Sequence, residues 1–293
     1  MDIRDVDLST GIRMQIAQAG LGGRPLLLVH GFTGAKEDFT EWLDELAGLG
    51  WHAVAPDQRG HGVSTKPPSK SDYSFELLAT DLLELAGNLW GAGARFALLG
   101  HSMGGMVAQV VALRVPERLT GLVLMDTTHG SIAFVDREQL EKVVEIVEAV
   151  GVDGLADILA TREDPLASPA HRRLLTEREG YAEFMDRKFR ATSAAAYAGL
   201  MTAMMDATDR LDALRSLRVP TMVIVGEDDR PLRRESRRLA EAIPGATLVV
   251  VDGAGHSPQF ENPDGWRDAM RSFLDRIAAG AGTGTGADAK AAP

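Results

Sequence analysis

Short apolar runs alternate with longer segments of helical periodicity over most of the chain. The apolar runs have few polar positions and lie at 25–31, 52–57, 95–100, 119–126, 220–229 and 246–255. Continuous rather than alternating apolar character is typical of strands that are buried on both faces, as in a parallel sheet. Segments with helical spacing lie between them, at 36–49, 74–90, 103–115, 233–243 and 263–278. This alternation predicts a doubly wound α/β fold with a mostly parallel sheet.

Three segments depart from this alternation. Residues 3–18 hold two alternating stretches around Ser-Thr-Gly, which predict an antiparallel hairpin at the edge of the sheet. Residues 129–208 have helical spacing and no strand-like run, so we expect a helical cap inserted into a core formed by 1–128 and 209–278. Residues 279–293 are rich in glycine, alanine and threonine and have no apolar face, which predicts a disordered tail.

The composition narrows the class of protein. A net charge of −11 argues against a nucleic-acid partner, because affinity for phosphates requires a basic surface. The chain has no cysteine, which excludes disulfides, thiolate catalysis and cysteine-bound metals. No apolar run approaches the roughly 20 residues of a membrane helix, and the first residues lack the apolar segment of a secretory signal. We therefore expect a cytoplasmic protein without a membrane partner.

The segment Gly-His-Ser-Met-Gly at 100–104 indicates chemistry. Ser102 stands between a strand-like run and a helical segment, with Gly100 and Gly104 on either side. A G-x-S-x-G turn holds its serine in strained backbone angles, and glycines at the flanking positions remove Cβ atoms that would clash. A serine that merely capped a helix would not require both glycines. We interpret Ser102 as a candidate nucleophile.

A serine hydroxyl needs a base to accept its proton and an acid that orients the base. His256 is the candidate base, because it follows the last predicted strand on a glycine-rich loop. Glu227, Asp228 and Asp229 follow the preceding predicted strand, and the pattern alone leaves open which of them is the acid. His101, next to the serine, is interpreted as a packing or hydrogen-bonding residue, since adjacent side chains diverge at such a turn.

The chain resembles the α/β-hydrolase superfamily over about 20–278. The matching segments are HGF at 30–32, DQRGHGVS at 57–64, GHSMGG at 100–105, GEDD at 226–229 and GAGHSPQFENP at 253–263. The order serine, aspartate, histidine along the chain is also that of the family. The resemblance implies a catalytic set of Ser102, Asp229 and His256, with Asp229 favoured by its distance from the strand-ending glycine. It also implies an oxyanion hole formed by the backbone amides of Phe32 and Met103.

Within the family, the chain looks most like serine carboxylesterases, enol-lactone hydrolases and cofactor-free haloperoxidases. The cap is expected to supply an apolar pocket, since methionine adapts to varied apolar shapes. The candidate pocket residues are Phe134, Met185, Phe189, Tyr197, Met201 and Met205. The expected partner is a small, mostly apolar ester or lactone. No cofactor and no metal are expected, because the chain lacks a nucleotide-binding glycine motif and convincing metal-ligand spacing.

The leading hypothesis is hydrolysis of esters or lactones through an acyl-serine intermediate. One alternative is carbon–carbon bond hydrolysis of vinylogous diketones, although relatives with that activity often carry asparagine near the nucleophile, where this chain has His101. Another alternative is a non-catalytic protein whose cavity binds a small ligand, because a fold alone does not fix a function.

Overall fold

The centre of the molecule is an eight-stranded, mostly parallel sheet. The structure, a computed structural model, describes residues 1–161 and 167–282. The strands are β1 (Asp2–Asp7), β2 (Arg13–Ala19), β3 (Arg24–Val29), β4 (Trp51–Pro56), β5 (Phe96–His101), β6 (Leu119–Met125), β7 (Thr221–Gly226) and β8 (Thr247–Val251). Their order is β1-β2-β4-β3-β5-β6-β7-β8. The β1–β2 and β2–β4 pairs are antiparallel and the other five are parallel. The predicted fold class and edge hairpin are confirmed.

Helices cover both faces of the sheet. They are α1 (Thr40–Gly48), α2 (Phe75–Trp90), α3 (Met103–Arg114), α4 (Arg137–Leu159), α5 (Pro169–Glu177), α6 (Tyr181–Arg190), α7 (Ala194–Met205), α8 (Leu211–Leu214), α9 (Arg230–Ala242), α10 (Pro258–Glu261) and α11 (Pro263–Gly282). Short 3-10 turns occupy Lys36–Asp38, Lys70–Asp72 and Pro116–Arg118. Helices α1 and α11 pack on one face, while α2, α3 and α9 pack on the other. This is why the inner strands are apolar at nearly every position.

Strand β3 illustrates the two-sided burial. Leu26 and Leu28 belong to the core cluster under α1 and α11, and Leu27 and Val29 belong to the cluster under α2 and α3. Successive side chains of a strand point to opposite faces, so a strand covered on both sides needs an unbroken apolar run. The carboxyl ends of the parallel strands meet at one edge of this sheet, and the candidate residues lie in the loops at that edge.

The insertion between β6 and β7 is helical, and its described residues form α4, α5, α6 and α7 without a strand. Side-chain caps define these helices: Asp136 begins α4, Ser168 begins α5 and Ser193 begins α7, each accepting a hydrogen bond from a backbone amide of the first turn. Gly151, with φ of 74°, interrupts α4. Helix α7 packs against α4. Among the described residues, no helix combines the length and hydropathy needed to cross a bilayer.

The end of the chain differs in part from the prediction of a disordered tail over 279–293. Helix α11 continues to Gly282, so residues 279–282 are helical. The helix is anchored on the sheet by buried Trp266 and Phe273, and the alanines that follow prolong it at little conformational cost. Residues 283–293 lie outside the described residues.

The turn between β5 and α3 requires glycine because the backbones lie so close together. A Cβ atom at Gly104 would lie 2.5 Å from the carbonyl oxygens of Val29 and His30, and one at Gly100 would lie 2.3 Å from the carbonyl oxygen of Gly104. These obstacles are backbone atoms, which cannot move aside as a flexible side chain can. The start of α3 is therefore held directly against the end of β3.

We expect Gly104→Ala to lower the free energy of unfolding by about 1–3 kcal/mol, because the methyl group forces α3 away from β3. Gly87→Ala in α2 is the matched control, since its nearest neighbour would be the Cα of Ala92 at 3.9 Å. That change should stabilise by about 0.5–1 kcal/mol through helix propensity. Urea unfolding of both variants measures the difference. Equal stability of the two variants would contradict the close-contact explanation.

Candidate active site

Ser102 occupies a strained turn between β5 and α3. Its φ is 53° and its ψ is −120°, a conformation that non-glycine residues rarely adopt. Two hydrogen bonds hold the turn: the Ser102 amide donates to the Met125 carbonyl at 2.8 Å, and the Thr127 hydroxyl donates to the Ser102 carbonyl at 2.7 Å. The partners of these backbone hydrogen bonds are the last residue of β6 and a residue of the loop that follows it. Its side chain lines a large cavity.

The structure brings Ser102, His256 and Asp229 into one hydrogen-bonded chain. His256 Nε2 lies 3.0 Å from Ser102 Oγ, and His256 Nδ1 lies 2.7 Å from Asp229 Oδ2. These contacts join residues separated by 154 and 27 positions in the sequence. Of the two adjacent aspartates, it is Asp229 that contacts the histidine, while the backbone amide of Asp228 donates to the Ala254 carbonyl. This arrangement allows a proton to pass from the hydroxyl to the imidazole.

Electrostatics keep Asp229 in its charged form. Burial acts to raise the pKa of Asp229, but the charge of His256 and the hydrogen bond from its ring outweigh burial, and the net pKa lies below its usual value. An ionised carboxylate beside Nδ1 fixes the imidazole tautomer, with the proton on Nδ1 and a free lone pair on Nε2. The Nε2 atom that faces Ser102 is therefore the basic one.

Glu261 in α10 fixes the loop that carries His256. Its carboxylate accepts from the amides on either side of the histidine: Gly255 N lies 2.5 Å from Oε2, and Ser257 N lies 3.1 Å from Oε1. Ser168 Oγ, from the insertion, donates to Oε2 at 2.5 Å. Charge-assisted hydrogen bonds of this kind are roughly twice as strong as neutral ones. One carboxylate thus ties the helical insertion to the backbone of the histidine loop.

His101 holds the same loop from the sheet. Its Nε2–H donates to the His256 carbonyl, with a distance of 2.6 Å between the two atoms. Burial, helped by the charge of His256, lowers the pKa of His101 to about 3, so its ring is neutral at physiological pH. The expected packing or hydrogen-bonding role of His101 agrees with this contact.

Two backbone amides lie beside the serine. A Cβ atom at Gly31 would lie 3.0 Å from Ser102 Cβ, so the segment carrying Phe32 runs next to the hydroxyl, and Met103 is the first residue of α3. Within residues 1–161 and 167–282, neither the Phe32 nor the Met103 amide donates to a protein acceptor. Unpaired amides at a helix N-terminus favour negative charge. An oxygen that becomes negative at this point would meet donors already in place.

A cavity of about 840 Å³ lies above Ser102, between the sheet edge and the insertion. This volume is within the range of small-molecule sites. Of the predicted pocket residues, Phe134, Met185 and Met201 line the cavity. Its apolar lining also includes Met106, Ile132, Val135, Leu140 and Met204. The mixture of methionine and aliphatic side chains suits an apolar group of variable shape.

For three residues the prediction of a pocket position was wrong. Phe189, Tyr197 and Met205 do not line the cavity; they pack on the main core cluster. The ring of Tyr197 lies 4.7 Å from that of Phe32 and 5.9 Å from that of Phe189, between centroids. Helical spacing indicates that one side of a helix is apolar, but here that side is turned toward other protein residues.

An ion pair is built into the cavity wall. Lys188 Nζ in α6 lies 2.6 Å from Asp38 Oδ1, and the two side chains are only 12% and 3% exposed. The ammonium also lies 5.0 Å from the ring centroid of Phe184 and 5.9 Å from that of Phe260. Such a cation is favoured by the ring faces as well as by the carboxylate. The pair joins the insertion to the loop that follows β3.

The clustered acids do not have the spacing of a metal site. Asp126, Asp229 and His256 each place one oxygen or nitrogen atom within 4.8 Å of the others. However, Asp229 Oδ2 and His256 Nδ1 lie 2.7 Å apart, which is a hydrogen-bond distance. Two ligands of a tetrahedral metal with bonds near 2.1 Å stand roughly 3.4 Å apart. The contact is that of a hydrogen-bonded pair.

Sequence reasoning missed several residues of the site. Asp38, Asp126, Ser168, Lys188 and Glu261 were not identified as candidates. Asp126 directly follows an apolar strand, and Asp229 stands three residues after one, so the sequence offered a signal for Asp126. Glu261 lies five residues after His256 in the quoted segment, but the pattern does not indicate that its carboxylate turns back to the loop. The pairing of Lys188 with Asp38 spans 150 residues, and no local spacing encodes it.

The comparisons with known proteins agree on one family. The family model for the alpha/beta hydrolase fold matches residues 24–263. Lipase 3 from Moraxella sp. is 27% identical over 279 residues, covering 94% of this chain and 86% of the relative. The 3-oxoadipate enol-lactonase 2 of Acinetobacter baylyi is 25% identical, covering 94% and 97%. A crystallised thermophilic esterase from Thermogutta terrifontis superimposes with a TM-score of 0.80 at 28% identity, covering 94% and 99%.

The buried ion pair leads to a prediction about stability. Lys188→Met leaves the buried carboxylate of Asp38 without its cation, so the free energy of unfolding should fall by about 3 kcal/mol. The double variant Lys188→Met/Asp38→Asn removes both charges. Its free energy of unfolding should be at least about 1 kcal/mol higher than that of Lys188→Met. Urea unfolding of the wild type, both single variants and the double variant completes the cycle. Purely additive losses would show that the two charges do not stabilise each other.

Proposed function

The chain belongs to the alpha/beta hydrolase family, and from that premise we propose that it is a serine hydrolase of carboxylic esters or lactones. The observation that carries the proposal is the continuous hydrogen-bonded chain from Ser102 through His256 to Asp229, which opens into a cavity. The lipase and enol-lactonase relatives and the esterase structure support the same reaction class. Their identities are too low to transfer a particular substrate.

In the proposed first step, Ser102 Oγ attacks the carbonyl carbon of the substrate. His256 Nε2 takes the hydroxyl proton as the new carbon–oxygen bond forms, and the electron pair of the carbonyl double bond moves onto its oxygen. The Phe32 and Met103 amides donate hydrogen bonds to this oxyanion. Asp229 stabilises the imidazolium that results, without itself taking a proton.

Collapse of this intermediate breaks the bond to the leaving alcohol. The electron pair returns from the oxyanion to restore the carbonyl, and the departing oxygen takes the proton held by His256 Nε2. An acyl group then remains on Ser102. Water gives its proton to His256 and attacks the acyl carbon, and a second collapse returns the proton to Ser102 and releases the acid. In a lactone the leaving oxygen stays attached to the same product molecule.

The cavity supports a mostly apolar acyl or alcohol group in the substrate. Phe134, Met185 and Met201 face it from the insertion, above the serine. Methionine side chains can adjust their packing when the shape of a ligand changes, because they have three rotatable bonds. A lining of this kind favours several small esters or lactones over one closely matched molecule.

A fluorophosphonate probe tests the proposal. It should label the wild type covalently, because the activated hydroxyl displaces fluoride and the amides stabilise the charged oxygen. Ser102→Ala should abolish labelling and lower p-nitrophenyl butyrate hydrolysis by at least about 1,000-fold, since the nucleophile is lost. Intact-mass spectrometry and the release of p-nitrophenol are the two measurements.

Ser71→Ala is the control, because Ser71 is exposed and is not among the residues that line the cavity. This variant should keep both signals. The melting temperature of Ser102→Ala should stay close to that of the wild type. A folded wild type that neither reacts with the probe nor turns over any ester or lactone would instead favour a ligand-binding protein. Substantial hydrolysis by Ser102→Ala would rule out the acyl-serine mechanism.

The two adjacent aspartates give a matched comparison. Asp229→Asn should lower kcat at least about 100-fold, because the neutral amide no longer stabilises the imidazolium and allows the wrong tautomer. Asp228→Asn, which leaves the hydrogen bond between Asp229 and the histidine ring in place, should keep kcat within about threefold. Steady-state kinetics on one ester measures both. A larger loss at Asp228 would reverse the assignment of the acid.

A further inference from the structure

Asp126 is a buried carboxyl group that the mechanism above does not use. It is fully buried directly after β6, and its φ of 44° places it in the region that non-glycine residues rarely occupy. Its Oδ1 accepts a hydrogen bond from the Gly226 amide at 2.9 Å. Its Oδ2 is also buried, and no donor reaches it among the groups of the described chain. A strained, buried acid with one unsatisfied oxygen calls for an explanation.

The carboxyl group of Asp126 lies among the groups of the site. Ligand atoms of Asp126, Asp229 and His256 all fall within 4.8 Å of one another, so the carboxyl groups of the two aspartates belong to one buried cluster. A hydrogen bond between two carboxyl groups requires that one of them carries a proton. Two buried carboxylates at this distance do not both ionise, because their charges repel in a poorly solvated space.

The surroundings decide which aspartate holds the proton. Burial raises the pKa of Asp126 well above its usual value, and the negative charges of Asp229 and Glu261 act in the same direction. The His256 ring contacts Asp229 directly and stabilises its charged form. His101, the remaining titratable ring on the β5 side, is kept neutral by burial. Asp229 is therefore the anion and Asp126 the neutral acid.

We propose that Asp126 stays protonated at neutral pH and donates its O–H to the carboxylate of Asp229. Asp126 is then a positioning residue, since it acts through Asp229. The carboxylate of Asp229 is held from two sides, by the His256 ring and by the Asp126 O–H. This inference rests on the proposed function only where activity is the measurement.

The second hydrogen bond has a chemical consequence. Donation into Asp229 disperses the negative charge and makes the carboxylate a weaker base, so the proton taken up by the imidazole stays on the ring. The neutrality of Asp126 also matters. A second negative charge would stabilise the imidazolium of His256 in the free enzyme, raise its pKa and leave less neutral base at physiological pH.

Asp126→Asn tests the protonation state, because an amide has the shape of the protonated acid. The backbone amide of Gly226 needs an oxygen as its acceptor, so the side-chain oxygen of the variant takes that position. The side-chain NH2 group then replaces the O–H of the acid as the donor to Asp229. We expect kcat within about threefold of the wild type, with the acid limb of the kcat/KM profile unmoved. If Asp126 were ionised, removing its charge would shift that limb down by about one pH unit or more. Such a shift in an active enzyme would overturn the proposal.

Asp126→Leu is the counterpart, since it keeps the branched shape, with larger methyl groups in place of the oxygens, but removes both hydrogen bonds. We expect kcat to fall at least about tenfold in this variant, with recovery in Asp126→Asn. If Asp126→Leu folds and turns over at the wild-type rate, the hydrogen bond to Asp229 has no positioning role. If it does not fold, the Asn variant and the two measurements below decide the matter.

Two readouts do not depend on any activity. The infrared spectrum of the wild type at pH 7 should contain the carbonyl stretch of a protonated carboxylic acid, and this band should be absent in Asp126→Asn. Its absence from the wild type would overturn the proposal even if the enzyme hydrolyses esters. A protein that shows the band but no hydrolase activity would instead contradict the proposed function alone.

Thermal unfolding supplies the second readout. The pKa of Asp126 is raised in the folded state, so above the unfolded value of about 4 the unfolded chain ionises while the folded chain keeps its proton. This group therefore lowers wild-type stability progressively as the pH rises from 4 to 7. Asn does not titrate, so the melting temperature of Asp126→Asn relative to the wild type should increase over that range. A constant difference would mean that Asp126 ionises normally.

Discussion

The contact between the start of α3 and the end of β3 is the constraint on which the site depends. Gly104 lies against the carbonyls of Val29 and His30, closer than any residue with a Cβ atom would allow. This contact forces Ser102 into its strained turn and places the hydroxyl above the edge of the sheet. It also brings the first amide of the helix beside the loop after β3, so the Ser102 hydroxyl and the Phe32 and Met103 amides are positioned together.

Side-chain hydrogen bonds hold the opposite wall of the site. His256 stands on a glycine-rich loop that forms no regular structure of its own. Its backbone is fixed by Glu261 on the amides and by His101 on the carbonyl. These partners come from α10 and β5, and Asp229 holds the ring from the start of α9. Several distant segments therefore share the task of orienting one imidazole.

Much of the fold was predictable because its signals are local. Unbroken apolar runs mark strands that are covered on both faces, and the glycines at 100 and 104 mark the turn at Ser102. The residues around that turn were harder to predict. Lys188 and Asp38 meet through the packing of two separate segments, and Tyr197 occupies an apolar helix face that turns inward to Phe32 rather than to the cavity. Spacing along one helix cannot specify which neighbour that helix meets.

The hydrogen bond from Ser168 to Glu261 has a consequence for how such an enzyme diversifies. Ser168 caps the first turn of α5 and, with the same hydroxyl, contacts the carboxylate that holds the histidine loop. An exchange of the whole insertion for that of another protein would change the surface of the cavity and loosen the loop that carries His256 in one step. A transplanted segment would need a hydroxyl at this position for new selectivity to arrive without a loss of turnover.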